Sequence, residues 1–189
     1  MAWAAAQHKE NVDDSGGSST TLAATFTNPV SAGSFIAVFC GWGATTGTIS
    51  ASDGTNSATA PSGNTYGYVD QSSGFLYFAN HPGGSSVTIT VTYSSSVGYR
   101  RLSISEWTGI DTSSPIDVNC VWNEVSTGTS TNGAVSSSLT TLTANDLLLA
   151  WLQSESNSVI DSITLTAGTG WTAFGNSGEI GRASCRERV

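Results

Sequence analysis

The sequence predicts an all-β fold, an antiparallel β-sandwich of the jelly-roll or immunoglobulin-like type. Short segments rich in β-branched and aromatic residues recur along the chain, and clusters of Gly, Asn, Asp and Pro separate them, as in sheets joined by tight turns. Only 11% of the residues are charged, which leaves few partners for the ion pairs that stabilise helix surfaces. A chain of 189 residues is long enough to bury a core between two sheets.

Strands are predicted wherever alternating hydrophobicity, β-branched content and flanking turn residues agree. The predicted segments are Trp3–His8, Thr20–Phe26, Ser34–Trp42, Thr48–Ser52, Tyr66–Asp70, Gly74–Ala79, Ser86–Tyr93, Tyr99–Trp107, Asp117–Trp122, Ala134–Leu139, Asp146–Gln153 and Ser162–Thr166. Many short strands at this spacing are typical of a two-layered sandwich.

Two patterns distinguish half-exposed strands from central ones. Val87–Tyr93 alternates strictly, with apolar residues at odd positions and Thr at even positions, so one face is expected to be buried and the other solvated. Phe35–Cys40 and Leu147–Leu152 are apolar at every position, which is expected of strands covered on both faces. Leu147–Leu152 could also form a short helix; we favour a strand because turn-rich β sequence flanks it.

Turn signals lie between the predicted strands. Asp53-Gly54, Pro61–Gly63, His81–Gly84 and Asp111–Pro115 carry the residues that favour hairpins and sheet-crossing loops. Ser126–Ser138 consists almost wholly of Ser, Thr, Gly and Asn, a composition found both in linkers between domains and in surface loops. We favour a surface loop that leads into an edge strand, because too few strands follow it to close a second core.

The last residues, Glu179–Val189, differ in composition from the rest of the chain. They contain three of the six Lys and Arg residues and lack a strand pattern. The string resembles the translation of a sequencing adapter; a natural basic tail is the alternative. We therefore predict one β-sandwich domain over residues 1–178, followed by a non-native tail (179–189) that makes no contacts with the core. On this interpretation the domain is C-terminally truncated and belongs to a longer parent protein with other domains.

The charge balance argues against one class of partner. A net charge of -8 and a pI near 4.4 disfavour nucleic acid, whose binding requires clustered Lys and Arg. No run of about eighteen apolar residues is present, so no membrane span is predicted. Met1–Ala6 lacks the basic and apolar regions of a signal peptide, so export would have to be encoded upstream. A surface of Ser, Thr, Gly and Asn in place of charges suits an extracellular or cell-surface protein.

Several short segments occur in a familiar order. They are Phe35–Val38 after Ser31-Ala32-Gly33, Ser52–Asn56, Phe78–Asn80 before Gly83–Val91, Ile104–Ile110 and Pro115–Asp117. In this succession, from about Ser18 to Trp171, the chain resembles a diffuse group of uncharacterised Ser/Thr/Gly-rich β-sandwich modules of secreted bacterial and phage-like proteins. The resemblance implies the fold and an extracellular location, and it implies no activity.

The sequence contains no recognisable catalytic or metal motif. His8 and His81 stand in no catalytic pattern, and no Gly-x-Ser-x-Gly motif is present, so we assign no catalytic residue. Cys40 and Cys120 are too far apart in the chain for a zinc motif; they could form a disulfide between sheets or remain two buried thiols. Asp13-Asp14 or the loop around Asp111 to Asp117 could contribute oxygen ligands to calcium, but solvated turn carboxylates are more common. We expect no metal and no cofactor.

One carboxylate is expected inside the fold. Glu106 and Arg100 share the parity of the apolar residues in their strand, which places both charges on the apolar face. Buried charges require partners, either each other or backbone donors at the strand end. We interpret Glu106 and Arg100 as structural buried charges. The alternative is a glycosidase in which Glu106 acts with Asp70 or Asp117 as the second carboxylate.

Aromatic side chains provide the most specific functional hypothesis. The chain has six Trp and five Tyr residues, and flat rings can stack on the apolar faces of sugars. Tyr66, Tyr68 and Trp122 adjoin Gly, Asn or other polar residues, so they are predicted to bind glycan. The sequence thus predicts a non-catalytic extracellular binding or adhesion module with a polysaccharide or cell-surface glycan as its partner. The alternatives are a structural domain of a phage-like tail or fibre and a fragment of a glycoside hydrolase.

Overall fold

The computed structural model describes residues 3–68, 71–117, 147–152, 172–173 and 182–186. Within these ranges the chain forms ten β-strands and no helix, and therefore no helix long and apolar enough to cross a membrane. The all-β prediction is confirmed. The chain divides into two compact units, Met1–Ile116 with β1–β7 and Asp117–Val189 with β8–β10. The assignment of residues 1–178 to one domain stays a prediction.

The first unit consists of antiparallel strands. They are β1 (Ala4–Asp13), β2 (Ser19–Thr25), β3 (Ser34–Gly43), β4 (Ile49–Ser52), β5 (Thr65–Tyr68), β6 (Gln71–His81) and β7 (Thr88–Thr108). β7 pairs with β2 and β4 along its N-terminal half and with β1 and β3 along its C-terminal half. Beyond β3 the sheet continues with β6 and ends with β5.

β7 is longer than the sequence pattern predicted. The two strands expected at Ser86–Tyr93 and Tyr99–Trp107 are one strand of 21 residues. The prediction of a break between these two strands was wrong, because the mainly polar residues 94–98 stay extended and are partly paired. Val97 lies opposite Ser19 of β2, and Gly98 lies opposite Gly43 of β3. Pairing on both sides therefore overrides the turn propensity of the serines.

The sheet folds over on itself at the middle of β7. β1 and β2 follow each other along one side of β7, from Ala4 opposite Thr108 to Thr25 opposite Thr88. β3 and β4 do the same along the other side. β7 and the strands on its two sides, β1 followed by β2 and β3 followed by β4, all bend at this point. The two halves of the sheet therefore face each other as two layers. This is the sandwich that the sequence predicted, with β7 in both layers.

A single apolar core fills the space between the two layers. Trp42 of β3 and Tyr93 of β7 contact each other across it, with ring centroids 5.5 Å apart. The core residues are Leu22, Ala24, Phe26, Val30, Ile36, Val38, Cys40, Trp42, Ile49, Ala51, Leu76, Phe78, Val87, Ile89, Val91, Tyr93, Val97, Leu102 and Ile104. Burial of these side chains supplies the main driving force for folding.

β3 is covered on both faces, as its unbroken apolar segment predicted. All residues from Ser34 to Trp42 are buried. Ile36 and Val38 join the core, and we call their side of the larger layer its inner face. Phe35 and Phe39 point to the opposite, outer face, where they stack against aromatic residues of β6. A strand that is buried on both sides needs apolar residues at every position.

The alternating strand also matches its prediction. In Val87–Tyr93 the odd-numbered residues are buried, whereas Thr92 is exposed and Thr88 and Thr90 are half-buried. The odd positions therefore supply the smaller layer's contribution to the core, and the even positions form its surface.

Glycines line the corner where the sheet folds. Gly43 of β3 lies opposite Gly98 of β7, and a Cβ on Gly43 would be 3.2 Å from the carbonyl oxygen of Gly98. A Cβ on Gly98 would in turn be 3.3 Å from the carbonyl oxygen of Gly16, which lies between β1 and β2. The backbones of neighbouring strands are so close here that a larger residue would force one of them to shift. Backbone packing therefore fixes the position of the bend.

The second unit contains a small antiparallel sheet in the order β8, β10, β9. Its strands are β8 (Leu148–Leu152), β9 (Thr172–Ala173) and β10 (Arg182–Arg186). The strand preferred over a helix for β8 is confirmed. Residues after Gly178 contribute β10, which pairs with β8; backbone pairing does not require an alternating sequence. The expectation that these residues make no contacts with the core stays a prediction. The non-native origin of residues 179–189 stays a prediction.

Some predicted strands cannot be compared with the structure. Ala134–Leu139, Ser162–Thr166 and all but the first residue of Asp117–Trp122 lie outside the described residues. The same holds for the loop or linker predicted at Ser126–Ser138.

Close approach across the core gives a test of the two-layered architecture. Gly74→Ala should lower the free energy of unfolding by about 1–3 kcal/mol, because the added Cβ would lie 2.3 Å from Cδ1 of Ile49. Ile49→Val removes that atom and alone should cost about 0.5–1.5 kcal/mol. The double variant should therefore lose less than the sum of the two single losses. Urea unfolding of the four proteins measures the coupling, and strict additivity would contradict the contact.

Candidate functional site

Two large aromatic side chains, Tyr66 and Tyr99, are exposed among the described residues. Tyr66 is 36% exposed and Tyr99 is 56% exposed. Tyr66 lies on the edge strand β5, and Tyr99 lies in β7 at the corner of the folded sheet. Core packing does not account for an exposed ring, so these two positions are the first candidates for recognition.

Tyr99 occupies a bulge in β7. Gly41 lies opposite Arg101 and Gly43 lies opposite Gly98, so one residue of β3 faces two residues of β7. Within the described ranges Tyr99 is the only residue other than glycine with a positive φ, at 50°. Bulges redirect side chains, and a bulky residue in this region of φ is strained and often marks a functional position.

The ring of Tyr99 rests on the glycines of the corner. A Cβ on Gly43 would lie 3.1 Å from Cδ2 of Tyr99, and a Cβ on Gly16 would lie 3.3 Å from its hydroxyl oxygen. Two glycine backbone segments therefore lie against the Tyr99 side chain, one near Cδ2 and one near the hydroxyl group. More than half of the residue's surface remains in solvent.

Pairing register places Tyr66 on the outer face of the larger layer. Tyr66 lies opposite Ser73 of β6, and Ser73 lies opposite Gly41 of β3. Residues in one such row share a face. Gly41 has the parity of Phe39, which points away from the core. Tyr66 and Ser73 are therefore on the outer face as well.

Tyr99 is on the same face as Tyr66. Gly43 has the parity of Gly41, so the Cβ that would contact the Tyr99 ring points to the outer face. β3 and β6 separate β7 from β5, and adjacent strands are about 4.8 Å apart. The two rings therefore lie on one surface, with about 14 Å between the strands that carry them.

Small and polar residues lie between the two rings. Ser73 and Gln71 of β6 share the outer face and are half-buried, and Gly43 adds only backbone. We call Tyr66, Tyr99, Gly43, Gln71 and Ser73 the tyrosine strip. Such a surface offers two exposed aromatic rings for stacking, with short or polar residues between them.

An ion pair borders the strip on the side of β7. Arg101 lies in the same row as Gly41 and is buried, and its guanidinium donates a hydrogen bond to Oδ1 of Asp14. The Asp14 side chain is 49% exposed, compared with 7% for Arg101. The charge that this pair presents to solvent is therefore negative.

Arg100 is buried at the corner and has its own partners. Its guanidinium donates to Asp13 and to the carbonyl oxygens of Thr21 and Gly17. Hydrogen bonds from Ser15, followed by that from Arg100, hold the pKa of Asp13 below its usual range. This cluster ties the segment between β1 and β2 to β7, so Arg100 supports the fold at the corner.

Glu106 is buried at the opposite end of β7 and is only 1% exposed. Its Oε1 accepts hydrogen bonds from the backbone N–H of Ser31 at 2.8 Å and from the Ser34 hydroxyl at 2.6 Å. Its Oε2 accepts one from the Gln7 amide at 2.7 Å. Burial alone would raise the pKa of Glu106, but these hydrogen bonds outweigh it and lower the pKa. Glu106 and Arg100 are both buried, and neutral donors rather than Arg100 surround the Glu106 carboxylate.

The geometry of Glu106 does not support the glycosidase alternative. A general acid or nucleophile must reach the substrate, and this carboxylate is enclosed and hydrogen-bonded on both oxygens. Asp70, one of the two suggested partners, lies outside the described residues. These hydrogen bonds connect the end of β7 to β1, to the loop before β3 and to the first residue of β3.

A buried Asp53–His81 pair links the two layers at that same end. His81 Nδ1 accepts a hydrogen bond from Gly83 N–H at 3.0 Å, so Nε2 carries the proton and donates to Asp53 Oδ2 at 2.8 Å. Both ring nitrogens are occupied, which leaves none to serve as a base. Burial would raise the pKa of Asp53, but hydrogen bonds from Asn56, Thr55 and His81 lower it to about 2. Asp53 follows β4 and His81 ends β6, so the pair closes the edge of the core.

Neither the thiol nor the acidic residues form a metal site in the described part of the chain. Cys40 is a buried free thiol, and burial raises its pKa well above the usual range. Its suggested partner, Cys120, lies outside the described residues. Asp13 and Asp14 are engaged by arginines, and no group of three metal-ligating side chains occurs within these ranges.

The predicted glycan-binding residues are only partly described by the structure. Tyr66 is exposed on the outer face. The backbone of Tyr68 pairs with Gln71, but the Tyr68 side chain and the whole of Trp122 lie outside the described residues. The prediction omitted Tyr99. Its exposure arises from the bulge in β7, and a bulge leaves no local signal in the sequence.

Comparisons of this chain with protein-family models, with curated proteins and with solved structures find no match. The geometry of the tyrosine strip is therefore the basis for assigning a function.

The hydrogen bonds to Asp53 predict a stability that depends on pH. The pKa of Asp53 falls from 3.8 to about 2 on folding, so its contribution is complete above about pH 4 and is lost as the pH falls towards 2. We expect the urea midpoint of the wild type to decrease over that range. Asp53→Asn should be less stable at pH 6 and should vary less between pH 4 and 2. Equal slopes for the two proteins would contradict this role.

Proposed function

We propose that the protein is a non-catalytic binding or adhesion module that works outside the cell or at its surface and holds a glycan on the tyrosine strip. The observation that carries the proposal is the exposed Tyr99 ring, supported on the corner glycines and on the same face as Tyr66. The fold keeps this ring at a strained backbone position, although a glycine or asparagine there would relieve the strain.

Glycan is the ligand class that fits this surface. The apolar faces of sugar rings stack on flat aromatic rings, and the sheet presents two exposed tyrosine rings on one face. The strip is part of a sheet paired through β7, so the two rings are held in place before a ligand arrives. Preorganisation of this kind lowers the entropic cost of binding.

Composition supports the location. Only 11% of the residues are charged, and exposed positions such as those of β2 and β4 carry Ser and Thr. A surface that depends on hydroxyl and amide groups for solubility suits a protein outside the cell. The resemblance to modules of secreted bacterial proteins agrees with this location.

Substitution of the two exposed rings tests the proposal. Tyr99→Asn keeps a residue that tolerates positive φ, and Tyr66→Thr keeps a residue that favours strands. Each should weaken binding to polysaccharide by about 1–3 kcal/mol, by analogy with bases stacked on aromatic side chains. The free energy of unfolding should change little. The measurement is calorimetric titration with soluble polysaccharides and pull-down with insoluble ones, next to urea unfolding of each variant.

Two controls make the experiment specific. Thr92→Ala changes an exposed residue of the smaller layer and should leave binding unchanged. Tyr93→Phe changes a buried tyrosine of the core and should also leave it unchanged. Tyr68→Ala and Trp122→Ala test the remaining predicted residues in the same assay. Binding by no polysaccharide would reject the proposal in favour of a structural module, such as a tail or fibre domain.

A further inference from the structure

We infer that the tyrosine strip binds the interior of an uncharged, extended polysaccharide chain rather than a chain end or an acidic polysaccharide. This inference rests on the proposed glycan function and adds the class of ligand. Three features of the strip carry it: the sign of the charge beside it, the small side chains between the rings, and its position next to a sheet edge.

The charge beside the strip disfavours acidic polysaccharides. A polyanion needs an accessible cation, and Arg101, the cation in the row of Gly41, is buried and bound by Asp14. The other corner arginine, Arg100, is equally enclosed by Asp13 and two carbonyl oxygens. Of the two charges in the Arg101–Asp14 pair, the half-exposed Asp14 carboxylate is the one that an approaching ligand meets. Uronate or sulfate groups would therefore be repelled, whereas neutral sugars would not.

The surface between the rings favours a chain interior. Recognition of a chain end depends on a pocket that encloses the terminal sugar and satisfies its polar groups. Here the outer-face row that runs from Tyr66 towards β7 consists of Ser73 and Gly41, which carry a short side chain and none. β5 is the last strand of this layer, so the strip reaches a sheet edge where a chain can continue past Tyr66.

The direction of the strip sets the minimum length of ligand. The two rings are carried by β7 and β5, which are about 14 Å apart with β3 and β6 between them. One sugar ring cannot stack on both tyrosines at once. Binding should therefore strengthen as an oligosaccharide lengthens until it spans the strip, because the second contact is then formed within one complex.

The test is a titration of the full chain with probes that differ in charge and length. Neutral probes are xylan, mannan and cello-oligosaccharides from glucose to the hexamer; acidic probes are polygalacturonate and hyaluronan. We expect neutral polymers to bind, affinity to rise at least about tenfold between monomer and hexamer, and glucose at millimolar concentration not to compete. Tyr66→Thr should remove the gain with length but keep the weak binding of short probes.

A charge variant isolates the role of the carboxylate. Asp14→Asn should raise affinity for polygalacturonate by about two- to fivefold at low salt, because one exposed negative charge is removed. Asp111→Asn is the matched control, since Asp111 is also exposed but follows the far end of β7. It should leave the affinity for both probe classes unchanged.

The possible results separate the two proposals. Preferential binding of acidic polymers, or equal binding of glucose and the hexamer, would overturn the ligand class while leaving glycan binding intact. Binding of neutral polymers that is insensitive to Tyr66→Thr and Tyr99→Asn would place the site elsewhere and overturn this inference. Binding of no probe at all would reject the glycan function itself, and the ligand class with it.

Discussion

The fold depends on one strand that is hydrogen-bonded on both sides while it passes from one layer to the other. β7 belongs to both halves of the sheet, so neither layer is complete without it. Because its neighbours on each side bend with it, the corner preserves backbone pairing where separate sheets would need a loop. The cost is crowding at the bend, and glycines at Gly43 and Gly98 accommodate it.

Different interactions stabilise the two ends of the sandwich. At the corner, backbone approaches backbone, and the buried guanidinium of Arg100 satisfies carbonyl oxygens between the ribbons. At the opposite end, buried polar side chains connect the strands and loops. There the hydrogen bond between His81 and Asp53 joins the layers. The Glu106 carboxylate accepts hydrogen bonds from β1 and from the loop before β3. Each of these groups is hydrogen-bonded, as low dielectric surroundings require.

The sequence was sufficient where the information is local. Alternation in Val87–Tyr93 and the apolar run of β3 determine which face is buried, because side-chain direction follows position in a strand. Glu106 shares the even-numbered positions of Leu102 and Ile104, and this pattern alone predicted that its side chain is buried. Its donors were not predictable, since Gln7 lies 99 residues away. Tyr99 was missed because its exposure results from a bulge, and a bulge arises from the register between two strands that no single segment encodes.

The order of the strands has a consequence for how the chain acquires its structure. β7 follows in sequence all the strands of the first unit with which it pairs, and its contact with β1 joins Ala4 to Thr108. During synthesis β1–β4 leave the ribosome before the strand that joins them exists. Such nonlocal pairing slows folding and leaves strand edges open for longer. Both layers, the corner and the surface it supports therefore form together, once β7 has been made.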